Sequence, residues 1–176
     1  NIPKKDLFLL QLNSTKEKIE THYNHSYLAS RLLLDNLYES ILNENWGSSG
    51  LKKQYQEQFK DYIKKGIDAE MLDETLANFD LNRIASALDP QKDNLFKYLG
   101  IQILSDRYLL RDRSESRAIY ELPQWFWMRV AMGLAKKENE PTKYAIEFYE
   151  VLSSMDFVSS TPTLFNSGTR HSQMSS

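Results

Sequence analysis

Apolar residues recur at helical spacing along most of the chain. Leu7 to Leu12 followed by Ile19 predicts a first helix over about Lys4 to His22, and Ser14 with Glu17 has the spacing of a capping box that restarts it after Asn13. Leu34, Leu37, Tyr38 and Ile41 fall at i, i+3, i+4 and i+7, one face of a helix from about Ser26 to Asn43. The run Asn45-Trp46-Gly47-Ser48-Ser49-Gly50 reads as a turn; with Leu51-Lys52 it resembles a phosphate loop but lacks the GxxxxGK(S/T) spacing. Tyr55, Phe59, Tyr62 and Ile63 define the next helix, with Gly66 as its stop. Asp68 and Asp80 have the character of N-caps for two short helices, one holding Met71 and Leu72, the other Leu81, Ile84, Ala85 and Leu88. Asp89-Pro90 closes the second, and a helix over about Asp93 to Ser105 follows.

The period then changes. Tyr108-Leu109-Leu110 and Ala118-Ile119-Tyr120 flank a charged, Ser-containing connection, which predicts a small hairpin. Pro123 suits a first helical position, and from Trp125 to Ala135 only Arg129 is charged. A helix apolar nearly all round is buried, so this one is expected to be the central pillar of the core. Asn139-Glu140-Pro141 breaks it, and Ala145, Phe148, Tyr149 and Leu152 define a last amphipathic helix. Phe157-Val158 then reads as a short strand entering a hydroxyl-rich tail. The expected fold is mainly α, with a small β-hairpin and a strand at the C-terminal end.

Composition narrows the function classes. The 176 residues suffice for one good core, and 41% hydrophobic with 26% charged residues is ordinary for a globular domain. A net charge of −2 gives no global reason to expect nucleic acid or an anionic membrane as partner. No apolar run reaches the ~18 residues of a membrane span, and the six-residue run Leu7 to Leu12 is too short for a signal peptide. The start at Asn1 reads as a cut or trimmed end, and the expected location is cytoplasmic. With no cysteine, the chain builds neither disulfides nor thiolate metal sites.

Few residues suggest chemistry. His22 and His25 straddle a predicted turn at Tyr23-Asn24 without a third ligand nearby, so no metal site is assigned and a capping or surface role is expected. His171 lies in the tail, where a lone loop histidine is usually solvated. Adjacent carboxylates such as Asp73-Glu74 point apart on a helix and do not serve as an acid–base pair. The tail itself, Ser159 to Ser176, combines Thr163 after Pro162, a Ser167-Gly168 turn and the hydroxyls of Ser175-Ser176. By composition alone it is a β-edge with a flexible terminus.

The run Ser159-Ser160-Thr161-Pro162-Thr163-Leu164-Phe165-Asn166-Ser167-Gly168, continuing through Gln173-Met174-Ser175-Ser176, resembles the entry to the catalytic barrel of the class I ribonucleotide reductase large (α) subunit. In that family a Pro-Thr segment is followed by a Ser-Gly turn, then by Gln-x-Ser-Ser and a cysteine. Tyr27 to Leu34, Tyr98 to Tyr108 and Pro123 to Ala135 are similar to its helical domain in the same order, so the resemblance covers essentially the whole chain.

The resemblance implies a helical domain over residues 1–156 and, over 157–176, the start of the ten-stranded α/β barrel, including its first strand. It implies reduction of ribonucleoside diphosphates to deoxyribonucleoside diphosphates for DNA synthesis, by a cysteine-radical mechanism, in an allosteric enzyme. Thr163 would contact the diphosphate substrate through its hydroxyl and Ser176 largely through its backbone; short hydroxyls and amides suit ribose and phosphate oxygens. No catalytic residue is assigned to this chain, because the family's cysteines, active-site glutamate and asparagine, and radical-relay tyrosines lie further on. The partners implied are the rest of the α subunit, a small (β) radical-generating subunit and a second α subunit. A small-subunit metallocofactor radical and a dithiol reductant, thioredoxin or glutaredoxin, serve the complete enzyme, none of them bound by this chain. Two alternatives stay open: a non-catalytic helical interaction module, and the N-extein half of a split or intein-interrupted reductase.

Overall fold

A computed structural model of the chain describes residues 3–42 and 50–173. The turn predicted over Asn45 to Gly50 therefore lies, but for Gly50, outside the described residues, as does Ser176. Helix α1 (Lys4–Lys16) packs on α2 (Asn24–Ile41). The expected restart at Ser14 is not used: α1 runs straight through it, because Thr15 turns its hydroxyl back onto the Gln11 carbonyl (2.8 Å) and tolerates the helix interior. The helix ends at Lys16, well before His22.

Helix α3 (Leu51–Asp68) buries Tyr55, Phe59, Tyr62 and Ile63, the predicted stripe. Gly66 does not end it. It lies inside the last turn, where a Cβ would collide with the Leu72 side chain, and its carbonyl accepts from the amides of Met71 (2.8 Å) and Leu72 (3.0 Å). Glu70 makes the reversal at φ 56°, so Asp68 belongs to α3, and Met71 and Leu72 are extended rather than helical. A 3-10 turn (Glu74–Asn78) follows, capped by Asp73. Helix α4 (Leu81–Ala87) is capped as expected, Asp80 accepting from the amides of Asn82 and Arg83 (both 3.1 Å).

The helix predicted from Asp93 divides. Asp89 caps a 3-10 turn over Pro90–Leu95 that turns Asp93 into the core, and α5 starts only at Tyr98 (Tyr98–Ile103), widening into a π-helical turn over Leu104–Tyr108. The hairpin expectation is corrected: the two arms meet at a single antiparallel bridge, Arg111 with Ile119, flanked by Asp112 N–H to Ala118 O (2.9 Å) and Tyr120 N–H to Leu110 O (2.8 Å). An isolated two-stranded ribbon is marginal without a third strand, and residues 113–117 between the arms are exposed and polar, with no apolar face to bury.

Helix α6 (Pro123–Ala135) is the pillar its composition predicts, buried at every position but Leu134. Trp125 stacks on Tyr62 with ring centroids 4.9 Å apart and donates Nε1–H to the Tyr55 carbonyl (3.1 Å). Helix α7 (Pro141–Ser153) packs along α6. The C-terminal strand is corrected as well. Residues 157–160 have no regular structure, and Thr161–Asn166 form a short helix, α8, with Pro162 in its first turn and Leu164 buried. Proline's fixed φ and missing N–H fit a helix start, which outweighs the strand signal of Phe157-Val158.

One buried carboxylate ties four of these elements together. Asp93 Oδ2 accepts from the hydroxyls of Tyr38 (2.6 Å) and Tyr55 (2.7 Å), and Oδ1 accepts from Gln124 Nε2 (2.7 Å). Gln124 in turn accepts from the Tyr149 hydroxyl (2.7 Å), which receives the Asp89 amide (2.9 Å). Burial pushes the Asp93 carboxyl up to about 6, and the three donors hold it from rising further.

Candidate functional site

The tail is fixed to the helical core at its centre. Arg129, alone among apolar neighbours on α6, is wholly buried beside an equally buried Glu121. Its Nε donates to Glu121 Oε1 (2.7 Å) and Nη2 to Oε2 (3.2 Å), while Nη1 reaches the Ser167 carbonyl (2.6 Å). The guanidinium also sits 5.2 Å from the centroid of the Phe126 ring. Glu121 is fully satisfied: Tyr62 donates its hydroxyl to Oε1, and the Leu110 amide donates to Oε2 (3.1 Å). Burial opposes the charge on Arg129, and the Glu121 carboxylate more than offsets it, so Arg129 is held cationic with its pKa above the usual value. Burial and the Glu121 charge together push the Tyr62 hydroxyl far up, keeping it a donor.

Around that ion pair the Ser167–Gly168 turn is pressed onto α6. Ser167 Oγ donates to the Val130 carbonyl (2.8 Å). Gly168 takes φ 74°, a conformation that favours glycine, and a Cβ there would strike the Arg129 backbone. Gly133 faces the same turn, where a Cβ would overlap the Gly168 amide and Ser167. Gly133→Ala is therefore expected to destabilise by about 1–3 kcal/mol and to raise amide exchange at residues 167–169. Unchanged exchange there would show that the turn has room to spare.

The next residues join the chain reversal after α3. Gly168 O accepts the Asp73 amide (3.1 Å), Thr169 bridges to Leu72, and the Arg170 amide donates to Met71 O (3.2 Å). Charges close the junction: Lys136 pairs with Asp73 (2.8 Å), and Arg170 pairs with Glu70. Burial of Asp73 is more than offset by its bonds to Lys136 and Thr75, so its carboxyl titrates below its ordinary value.

On this support stands α8. Thr163 is half-buried; its hydroxyl and that of Ser160 share a hydrogen bond at 3.2 Å, and its carbonyl accepts the Ser167 amide (2.9 Å). Two small hydroxyls thus lie side by side just ahead of the clamped turn. Asn166 Nδ2 reaches the Gln173 carbonyl (2.6 Å), folding the tail back over α8. His171 is exposed at this fold. His22 and His25 are engaged locally: His22 Nδ1 accepts the Asn24 amide (3.1 Å), and His25 Nδ1 lies 3.2 Å from the His22 carbonyl. Among the described residues, no three His, Asp or Glu side chains are grouped to hold a metal. A wide apolar groove lies elsewhere, between α1 and α2, bordered by Leu7, Phe8, Leu32 and Asp35 and by none of the tail's described residues.

The sequence singles out Arg129 as an oddity but not its partner. A buried arginine requires a carboxylate, yet several acids were equally eligible, and Glu121 is chosen only by how residues 109–122 wrap under α6.

Residues 94–172 match the family model described as ribonucleotide reductase, all-alpha domain. The chain is 44% identical over 176 residues to the ribonucleoside-diphosphate reductase subunit alpha of Chlamydia muridarum, an alignment covering 99% of this chain and 16% of that protein. Against the subunit alpha of Helicobacter pylori strain 26695 it is 42% identical, covering 87% of this chain and 18% of the relative. Against the large subunit of Danio rerio it is 33% identical, covering 88% and 18%. The chain thus spans less than a fifth of the length of these relatives. Its continuous similarity to one kind of subunit from bacteria to a vertebrate, together with a helical core matching an all-alpha domain, means that the chain belongs to the ribonucleotide reductase large-subunit family.

Proposed function

We propose that this chain is the part of a class I ribonucleoside-diphosphate reductase α subunit that carries one wall of the substrate site. Thr163 donates its hydroxyl to the ribonucleoside diphosphate, and Ser176 contributes through its backbone. The observation that carries the reading is the tail's two-sided geometry. Its Ser167–Gly168 turn is locked to a buried ion pair, while the Ser160 and Thr163 hydroxyls stand together just ahead of that turn. A rigid support under small donors is what orientation of a polar substrate requires.

In this reading residues 1–156 are scaffold and 157–176 lead into the catalytic barrel. With no cysteine, the chain holds substrate and does not reduce it. The reducing cysteines belong to the remainder of the α subunit, the radical to a metallocofactor in the small subunit, and the electrons to a dithiol reductant. The active form is an α dimer with its small subunit, placed in the cytoplasm; no helix among the described residues is long and apolar enough to cross a membrane.

Thr163→Ala in the complete α subunit is expected to lower kcat/KM for ribonucleoside diphosphates by about 10- to 100-fold, the loss of one hydrogen bond to a charged group. The unfolding midpoint should hardly move. Wild-type kinetics in that variant would remove Thr163 from the site.

A further inference from the structure

Helix α8 is clamped at its C-terminal end by Arg129, but the segment leading into it has no regular structure, and Phe157 and Val158 are exposed. A second contact restrains it. The Phe165 ring, 38% exposed, lies nearly parallel to the ring of Tyr108, with centroids 4.6 Å apart and an interplanar angle of 14°. The Tyr108 hydroxyl stands 3.4 Å from Thr161 Oγ1, at the first turn of α8. Tyr108 is itself backed by the core, its ring edge-on to buried Phe126 at 6.3 Å.

Tyr108 reaches this place through an irregularity. It ends the π-helical turn Leu104–Tyr108, closed by the Leu109 amide on the Leu104 carbonyl (3.0 Å). Widened turns of this kind are often found at functional sites, because the extra residue re-aims the side chains that follow. Phe165 follows Thr163 by two residues, about 200° around a helix of 3.6 residues per turn. The stacked face and the face bearing the Thr163 hydroxyl are therefore opposite.

We propose that Tyr108, acting through Phe165, is a positioning residue for Thr163: the ring stack fixes the rotation of α8 and so aims the Thr163 hydroxyl at the nucleoside diphosphate. This rests on the substrate role assigned to Thr163 above. Tyr108 touches no substrate. It acts by sparing the substrate the work of ordering the helix that binds it, and its loss is felt in KM before kcat.

The test uses the complete α subunit with its small subunit and a dithiol reductant, assayed for nucleoside diphosphate reduction. Tyr108→Ala and Phe165→Ala should each raise KM about 3- to 10-fold with kcat nearly unchanged. Tyr108→Phe, which keeps the ring, should stay close to wild type. Adding Tyr108→Ala to Thr163→Ala should change nothing further, because the stack works only through that hydroxyl. A KM effect that adds in full on the Thr163→Ala background would overturn the positioning role, as would unchanged KM in Phe165→Ala, a variant of a partly exposed side chain that leaves the core intact. Should Thr163→Ala itself leave KM unchanged, the substrate assignment fails and takes the positioning role with it.

Discussion

Replacing Glu121 with alanine is expected to destabilise the chain by about 3–5 kcal/mol, a loss readable as a lowered urea midpoint. The magnitude follows from what the carboxylate leaves behind. Arg129 is wholly buried, and without Glu121 its guanidinium keeps the Ser167 carbonyl and the face of Phe126 but no opposite charge beside it. The Tyr62 hydroxyl and the Leu110 amide lose their acceptor at the same time. An unpaired charge in a dry interior is far costlier than the pair was worth. A second variant separates the two tasks of the pair. Glu121→Leu with Arg129→Met replaces it by apolar side chains, and such replacements are often neutral for stability. Stability in the double variant should return in part, the Tyr62 hydroxyl and the Leu110 amide still lacking their acceptor, while the Ser167–Gly168 turn, now without its donor, exchanges its amides faster. If Glu121→Ala falls below about 1 kcal/mol, water reaches Arg129 and the clamp is not the dry pair described here.

That variant pair also marks the limit of what could be read from residue order. Periodicity was enough for the stripe Tyr55, Phe59, Tyr62 and Ile63, and for α6, because burial there depends on local spacing alone. Asp80 was legible as a cap since its partners are two and three residues away. Asp68 failed on the same signal. A cap needs a helix after it, and Glu70 instead turns the chain so that Leu72 can meet Thr169, a pairing nearly one hundred residues distant in sequence. The tail illustrates both sides. Thr163 was singled out through its motif, whereas the strand expected at Phe157-Val158 is irregular chain, followed by a short helix with Pro162 in its first turn. Its support by Arg129 and Gly133 from α6 and by Tyr108 from the π-helical turn after α5 depends on elements distant in sequence converging on the tail, and no local pattern announces that.

The largest remaining effect is expected at Asp93. Asp93→Ala should cost about 3–5 kcal/mol, because it strands the hydroxyls of Tyr38 and Tyr55 and the amide of Gln124 in the core, each without the acceptor it now has. The cavity left behind adds to this. Asp93 also carries a pH signature of its own. Burial raises its carboxyl in the folded chain to about 6, above its ordinary 3.8. A raised acid binds its proton more tightly when folded, so between pH 4 and 6 the folded state holds more protons than the unfolded one, and stability falls as pH rises through that window. A shift of this size corresponds to roughly 3 kcal/mol. Asp93→Asn cannot titrate there. The stability advantage of wild type over Asp93→Asn should therefore shrink by about that amount from pH 4 to pH 7, then stay level. Parallel curves for the two proteins would mean that Asp93 keeps an ordinary carboxyl, and that the three donors balance its burial.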